Sequence, residues 1–316
     1  MRIVAAVGGN ALLQRGERPD ADVQQHHVRA AVESLAPLAR DHDLVIVHGN
    51  GPQVGLLARE SADDLTLSRP YPLDVLGAQT QGMIGYWMVQ GLENALPGRE
   101  VAGLVTQTLV SSDDPAFALP TKFIGPVYDE SGVRRIRAAR GWTFALDGTA
   151  WRRVVPSPSP CEVVEAPLVR RLVTQGVIVV CCGGGGVPVV RGHADATSRG
   201  GAEAEAGTLV GVEAVVDKDL TAARLAEVLA ADALILLTDV DAVYRDFATP
   251  SAQAIGRIGS DELRSLPAPA GSMGPKIVAA CGFVEATGRA AAIGALADAS
   301  RLIAGTAGTI VEPARP

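Results

Sequence analysis

Three lysines stand out in this chain by their rarity. Of its 28 lysine and arginine side chains only three are lysine: Lys122, Lys218 and Lys276. A surface ion pair accepts either cation. A site that needs a compact ammonium on a flexible stem cannot take the planar guanidinium of arginine. Their surroundings are unusual too: Pro120-Thr121-Lys122-Phe123-Ile124-Gly125-Pro126, Asp217-Lys218-Asp219, and Gly271-Ser272-Met273-Gly274-Pro275-Lys276. The simplest common reason is one small, highly charged ligand, with phosphate the leading candidate. Asp219 beside Lys218 would fix the ammonium and hold it protonated. It is equally placed to cap a helix starting at Leu220.

Glycine turns supply the second ingredient. Likely strand ends are followed by Gly8-Gly9-Asn10, by His48-Gly49-Asn50-Gly51-Pro52 and by Gly183-Gly184-Gly185-Gly186, and a further apolar run ends at Asp239-Val240-Asp241. In an open parallel sheet ligands bind beyond the carboxyl ends of the strands. Glycine there lets backbone N–H groups approach an anion, and a following helix N-terminus adds positive potential. Pro52 suits the first turn of such a helix. No G-x-x-x-x-G-K-[ST] sequence is present, and neither are His-Arg-Asp and Asp-Phe-Gly, which excludes a P-loop and a protein kinase. His48 reads as a strand-end residue bonded to backbone. Asp239 and Asp241 remain open between metal, cap and ribose, and Met273 between core and nucleobase contact.

These turns need a scaffold. Short β-branched runs at 2–7, 44–48, 101–105, 177–182, 213–216 and 233–238, with shorter ones near 301–304 and 309–311, alternate with helical stretches at 22–40, 73–96, 166–176, 219–231, 275–288 and 294–299. That alternation predicts an α/β fold: a three-layer αβα sandwich around an open, mainly parallel sheet. Residues 111–160 break the rhythm and read as a small protruding subdomain inserted into one domain spanning 1–316, with Lys122 at its entrance. Within it, 127–136 reads as a hairpin around Asp129-Glu130-Ser131-Gly132, and 142–153 as further short strands. The polar stretch 193–207 reads as a loop.

Composition sets the outer limits. With 47% hydrophobic but only 4% aromatic residues, the core must be built from aliphatic side chains. A net charge of −7 argues against nucleic-acid or anionic-membrane partners, so an anionic substrate needs local positive potential. No run approaches the roughly 18–20 apolar residues of a membrane span. Cys161, Cys181, Cys182 and Cys281 lack metal-ligand spacing, and the apolar run before Cys181-Cys182 predicts buried thiols. A reduced, cytoplasmic setting fits these features.

Placed together, the motifs resemble those of the carbamate kinase family, within the amino acid kinase superfamily. The resemblance covers essentially the whole chain. Beyond the glycine turns and lysine motifs it rests on Pro72-Leu73-Asp74-Val75-Leu76-Gly77-Ala78-Gln79-Thr80-Gln81-Gly82-Met83-Ile84-Gly85-Tyr86, on Arg152-Arg153-Val154-Val155-Pro156-Ser157-Pro158, and on Leu237-Thr238-Asp239-Val240-Asp241-Ala242-Val243-Tyr244. It implies a homodimer and a reversible phosphoryl transfer between ADP and carbamoyl phosphate, giving ATP and carbamate, with Mg2+ accompanying the nucleotide and no metal site of the protein's own. It implies that Lys122, Lys218 and Lys276 surround the transferring group and that Asp219 orients them. Gly8, Gly9, Asn10, Gly49, Asn50 and Gly51 would hold the carbamate and phosphoryl end. Asp217, Asp239, Asp241, Tyr244, Met273, Gly274 and Pro275 would lie on the nucleotide side. Two other functions share these motifs: another acyl-phosphate-forming amino acid kinase, and a nucleotide-binding regulator without turnover. The first needs a pocket for a larger carboxylate, and no arginine motif for one is evident. The second has no reason to keep all three lysines.

Overall fold

The computed structural model describes residues 1–14, 16–192, 207–247, 249–267 and 273–314. The stretch 193–206 and the first two residues of the Gly271–Lys276 motif lie outside the described residues.

An eight-stranded sheet forms the centre. Its order is Arg257–Gly259, Thr309–Glu312, Ala291–Ala295, Ala233–Thr238, Arg2–Val7, Asp43–His48, Ile178–Cys181 and Val101–Gly103. Neighbours run parallel, apart from Ala291–Ala295 against Thr309–Glu312. The continuously apolar strands are buried on both faces, as such runs require. Ile3, Ala5 and Val7 join one core with the helices Ala21–Asp41, Leu73–Ala95 and Ala299–Ile303. Val4 and Ala6 join the other, with Ala166–Thr174, Lys218–Val228 and Met273–Thr287. The expected αβα sandwich is therefore present. Strand order reverses on either side of Arg2–Val7, which opens a crevice at the carboxyl ends of this strand and its two neighbours.

Some expected elements differ. Residues 213–216 form no sheet strand; the segment is tied to Pro156 by a single bond, from the Val215 N–H at 3.0 Å. The helix expected at 294–299 begins only after the strand Ala291–Ala295, as the short helix Leu296–Asp298 leading into Ala299–Ile303, and that last helix takes the place of the strand expected at 301–304. Alanine favours helix in isolation, but a small-residue run fits a central strand hemmed between two layers. The expected hairpin at 127–136 is a strand end followed by the helix Glu130–Arg140. The Asp129 carboxylate caps it by accepting from the Gly132 N–H at 2.7 Å, and Gly141 ends it at φ 66°.

Lys122–Tyr128, Thr143–Asp147 and Ala150–Val155 form a separate antiparallel sheet, ordered with Ala150–Val155 in the middle. It sits on the helix Gly51–Asp63, the one that follows Asn50. Contact is so close that a Cβ on Gly55 would lie 1.9 Å from Gly125 Cα. Ile124 and Val155 bury there with Val54, Ala58, Leu73, Leu76 and Val215.

Gly55→Ala should therefore destabilise the protein by about 1–3 kcal/mol, the usual cost of overpacking. Gly282→Ala, in a helix with open space around it, should stabilise by about 0.5–1 kcal/mol from helix propensity. Urea unfolding of the two variants checks the contrast, and equal effects would contradict the tight seat at Gly55.

Candidate active site

The crevice is built from turns that nearly touch. A Cβ on Gly49 would lie 2.6 Å from Gly9 N and 3.2 Å from Lys218 Cδ, so both glycine turns and the lysine stem occupy one spot. Asn50 packs against the third turn, where a Cβ on Gly184 would meet its amide at 2.1 Å. Asn50 Nδ2 donates to Thr80 Oγ1 at 2.8 Å. Asn10 Nδ2 reaches Asp239 Oδ2 at 3.4 Å across the reversal point. The helix Gly51–Asp63 opens here, and no side chain caps its N-terminus. Its free N–H groups and dipole thus face the turns.

Two carboxylates bring the three lysines together. Asp219, 2% exposed, accepts from Lys218 Nζ at 2.9 and 3.0 Å and from Lys276 Nζ at 3.1 Å. Asp217 pairs with Lys122 and also accepts from the Asp219 N–H at 2.9 Å, which caps the helix Lys218–Val228. The open choice at Asp219 is thereby settled: Asp217 is the cap and Asp219 bridges ammonium groups. Asp217, expected among the nucleotide contacts, pairs here with Lys122. Three ammonium groups thus meet two carboxylates directly, with Asp239 close enough to feel the Lys276 charge.

Proton affinities reflect this crowding. Burial pushes the Asp217 carboxyl up, but Lys122 and Lys218 together pull it well below the usual carboxylate range. Burial likewise opposes the charge on Lys218, and Asp219 and Asp217 more than offset it, so its affinity ends raised. Lys276 goes the other way: burial and the neighbouring Lys218 charge lower it to about 8, against the pull of Asp219. His48 is pushed down to about 4 by burial, and its Nδ1 lies 3.1 Å from Gly49 O. It is the neutral, backbone-bonded strand-end residue expected.

The remaining predicted residues are placed more loosely. Tyr244 Oη donates to Asp241 at 2.8 Å on the hairpin Val243–Arg245/Gln253–Ile255. Met273, Gly274 and Pro275 open the helix that carries Lys276, and Met273 packs on the core. Among the described residues no group of three or more His, Cys, Asp or Glu is placed to hold a metal.

Sequence reasoning missed a supporting layer. Gln81 exchanges two bonds with the Thr106 backbone, at 3.0 and 3.1 Å, and Thr106 Oγ1 accepts from the Cys182 N–H. Thr108 and Thr221 both donate to Gly185 O, at 2.7 and 3.0 Å. A polar residue on a long apolar helix was the available signal, at Thr80 and Gln81.

An open sheet with an anion crevice at its reversal point and buried lysines defines a phosphate-handling α/β protein. The chain belongs to the Amino acid kinase family, which it matches over residues 1–295. It is 48% identical to a carbamate kinase of Rhizobium meliloti, with 98% of this chain and 93% of that protein aligned. It is 46% identical to the carbamate kinase of Escherichia coli K12, with 98% of each covered. The solved carbamate kinase of Giardia lamblia bound to AMP-PNP superposes with a TM-score of 0.85 at 36% identity, covering 99% of this chain and 98% of that one. The same enzyme bound to citric acid superposes with a TM-score of 0.89 at 36% identity, again with 99% and 98% covered.

Lys276 carries a testable pH signature. Its folded value of about 8 is below the ordinary 10.5. Across that window the unfolded chain holds the proton that the folded chain has released. The contribution of this group to stability is therefore least favourable below about pH 8 and rises with pH up to the unfolded value. Anion binding runs the opposite way, because it needs the ammonium. Pyrophosphate affinity, measured by calorimetry, should fall roughly tenfold between pH 7 and pH 9. The alkaline fall should vanish in Lys276→Arg, and a flat wild-type profile would contradict the assignment.

Proposed function

We propose that this chain is a carbamate kinase, catalysing ADP + carbamoyl phosphate to ATP + carbamate in a reversible reaction. The observation that carries the reading is the Asp219 bridge, which holds two buried ammonium groups against the glycine turns. In the transfer the bond between phosphorus and the carbamate oxygen breaks. A new bond forms between phosphorus and a terminal phosphate oxygen of ADP. Both oxygens are anionic as nucleophile or leaving group, so no general base is required. The released carbamate decays to ammonia and carbon dioxide.

Charge spreads over the phosphoryl oxygens in the transition state, so catalysis is positioning and charge stabilisation. Lys122, Lys218 and Lys276 supply the positive charge. Asp217 and Asp219 set where it lies. Gly8, Gly9, Asn10, Gly49, Asn50 and Gly51 take the carbamoyl and phosphoryl end through backbone N–H groups and amides. Asp239, Asp241, Tyr244, Met273, Gly274 and Pro275 take the nucleotide.

Magnesium would enter with the nucleotide. Asp217 and Asp219 are committed to ammonium groups, so phosphates and water would supply most of its ligands and it would screen their charge. The protein works as a cytoplasmic homodimer, without nucleic-acid or membrane partners. Among the described residues no helix is long and apolar enough to cross a membrane. Exposed Tyr86 and Val105 flank a groove beside the helix Leu73–Ala95, a suitable contact face. Sedimentation should give about twice the 32.6 kDa chain mass, and a monomer at micromolar concentration would contradict the dimer.

A coupled assay for ATP formed from ADP tests the main reading. Carbamoyl phosphate should support turnover and acetyl phosphate should be much poorer. Each single Lys→Arg change at 122, 218 or 276 should lower kcat by roughly 10²-fold or more, the scale of losing one transition-state charge partner. Absence of ATP from carbamoyl phosphate would favour another acyl-phosphate kinase or a regulator. Near-normal turnover in all three variants would remove the lysines from the mechanism.

A further inference from the structure

The segment 213–217 runs directly into Lys218, and its alternate residues 213, 215 and 217 each bind the three-stranded sheet. Lys122 stands opposite Val155 in that sheet, and Ile124 and Phe144 stand opposite Arg153. Residues directly opposite, and residues two apart, share a face. Lys122, Ile124, Arg153 and Val155 therefore point the same way. That way is toward the body of the protein, because Ile124 and Val155 bury with Val215 and the two supporting helices.

The two cations of this face reach the two ends of the segment. Lys122 pairs with Asp217, and Arg153 lies 3.6 Å from Glu213. Between them Val215 donates its N–H to Pro156 O at 3.0 Å. Arg153 is nine-tenths buried, and its guanidinium stacks 3.8 Å above the Trp142 ring, so it has little freedom. Glu213 also accepts from the Leu73 N–H at 3.0 Å, at the start of the helix that carries Thr80 and through it Asn50.

We propose that Glu213 and Arg153 are positioning residues for phosphoryl transfer, registering the three-stranded sheet on segment 213–217 and so fixing Lys122 relative to Lys218. This rests on the reading of Lys122 and Lys218 as phosphoryl contacts. The seat on the helix Gly51–Asp63 fixes the sheet near Gly125, and Asp217 anchors the end of the sheet that carries Lys122. That second anchor weakens when Lys122 turns from Asp217 toward an incoming phosphoryl group. The Arg153–Glu213 pair lies at the other end of the segment from Asp217 and Lys218. It can hold the sheet seated throughout the transfer, and the stacked, planar guanidinium suits a fixed contact.

The test is a kinetic cycle on the full chain with Glu213→Gln, Lys122→Ala and the double variant, read with ADP and carbamoyl phosphate. Glu213→Gln should lower kcat by about tenfold or more, since misplacement near 1 Å costs up to roughly 10²-fold. KM for ADP should stay within about twofold, and Glu213→Asp should recover most of the loss. In the Lys122→Ala background the same change should alter kcat by less than about twofold, because its effect passes through Lys122. Arg153→Lys keeps the charge and loses the fixed fork; it should behave as Glu213→Gln does, and it serves if that variant fails to fold. An unchanged kcat in Glu213→Gln and Arg153→Lys overturns the proposal. So does an equal loss in both backgrounds while Lys122→Ala is itself impaired. Wild-type turnover in Lys122→Ala would instead overturn the role given to Lys122, and the positioning role with it.

Discussion

Two buried carboxylates hold three ammonium groups at the reversal point of the sheet, and the surrounding structure is arranged around those charges. Burying an unpaired ammonium costs several kcal/mol. Asp219 limits the cost by serving Lys218 and Lys276 at once. Asp217 both caps a helix and pairs with Lys122. The cost falls most on Lys276, which burial and then the Lys218 charge push down to about 8.

Charge alone would not make a phosphate site, because the donors must also come close. Gly9 and Gly49 let two strand ends approach until a single methyl would collide, and the Lys218 stem fills the space beside them. Rigidity comes from behind. Thr80 fixes Asn50, Gln81 fixes Thr106, which in turn accepts from the Cys182 N–H, and Thr108 and Thr221 hold Gly185. These side chains are buried and hydrogen-bonded. Such a layer orients the donors before substrate arrives, the condition under which backbone dipoles stabilise a transition state most effectively.

The parts of this site that were legible from sequence were those in which chemistry restricts residue choice. Lysine against an arginine background marked the ammonium positions, and glycine clusters after apolar runs marked the turns. The layered sheet followed from alternating periodicity. What stayed hidden depended on contacts between distant segments. Asp217 and Asp219 are both acidic and adjacent to Lys218, so only the helix start at Lys218 distinguishes cap from bridge. Ala291–Ala295 resembles helix until its place between two strands is known. Segment 213–217 has strand-like composition, yet its partners beyond its own helix are the Pro156 carbonyl, the Leu73 N–H and two cations on another sheet. The capped helix at Glu130 was hidden by turn-like residues that are also cap residues.

The contrast between lysine and arginine extends past the three lysines. Where the inserted sheet needs a fixed cation it uses arginine. Arg153 lies flat on Trp142, and Arg152 sits over Phe123 while bonding Gly125 O at 3.2 Å and Asp147 at 2.8 Å. A guanidinium suits these places because stacking and forked hydrogen bonds hold it still. Lys122 lies on the same face as Arg153 but has a different task. Its ammonium pairs with Asp217, and a point charge on a flexible stem can turn where a stacked fork cannot. At Asp219 two such stems converge on one buried carboxylate. Around this site the cations therefore divide by geometry: arginine where a stacked, forked contact is held still, lysine where compact charges meet a shared carboxylate.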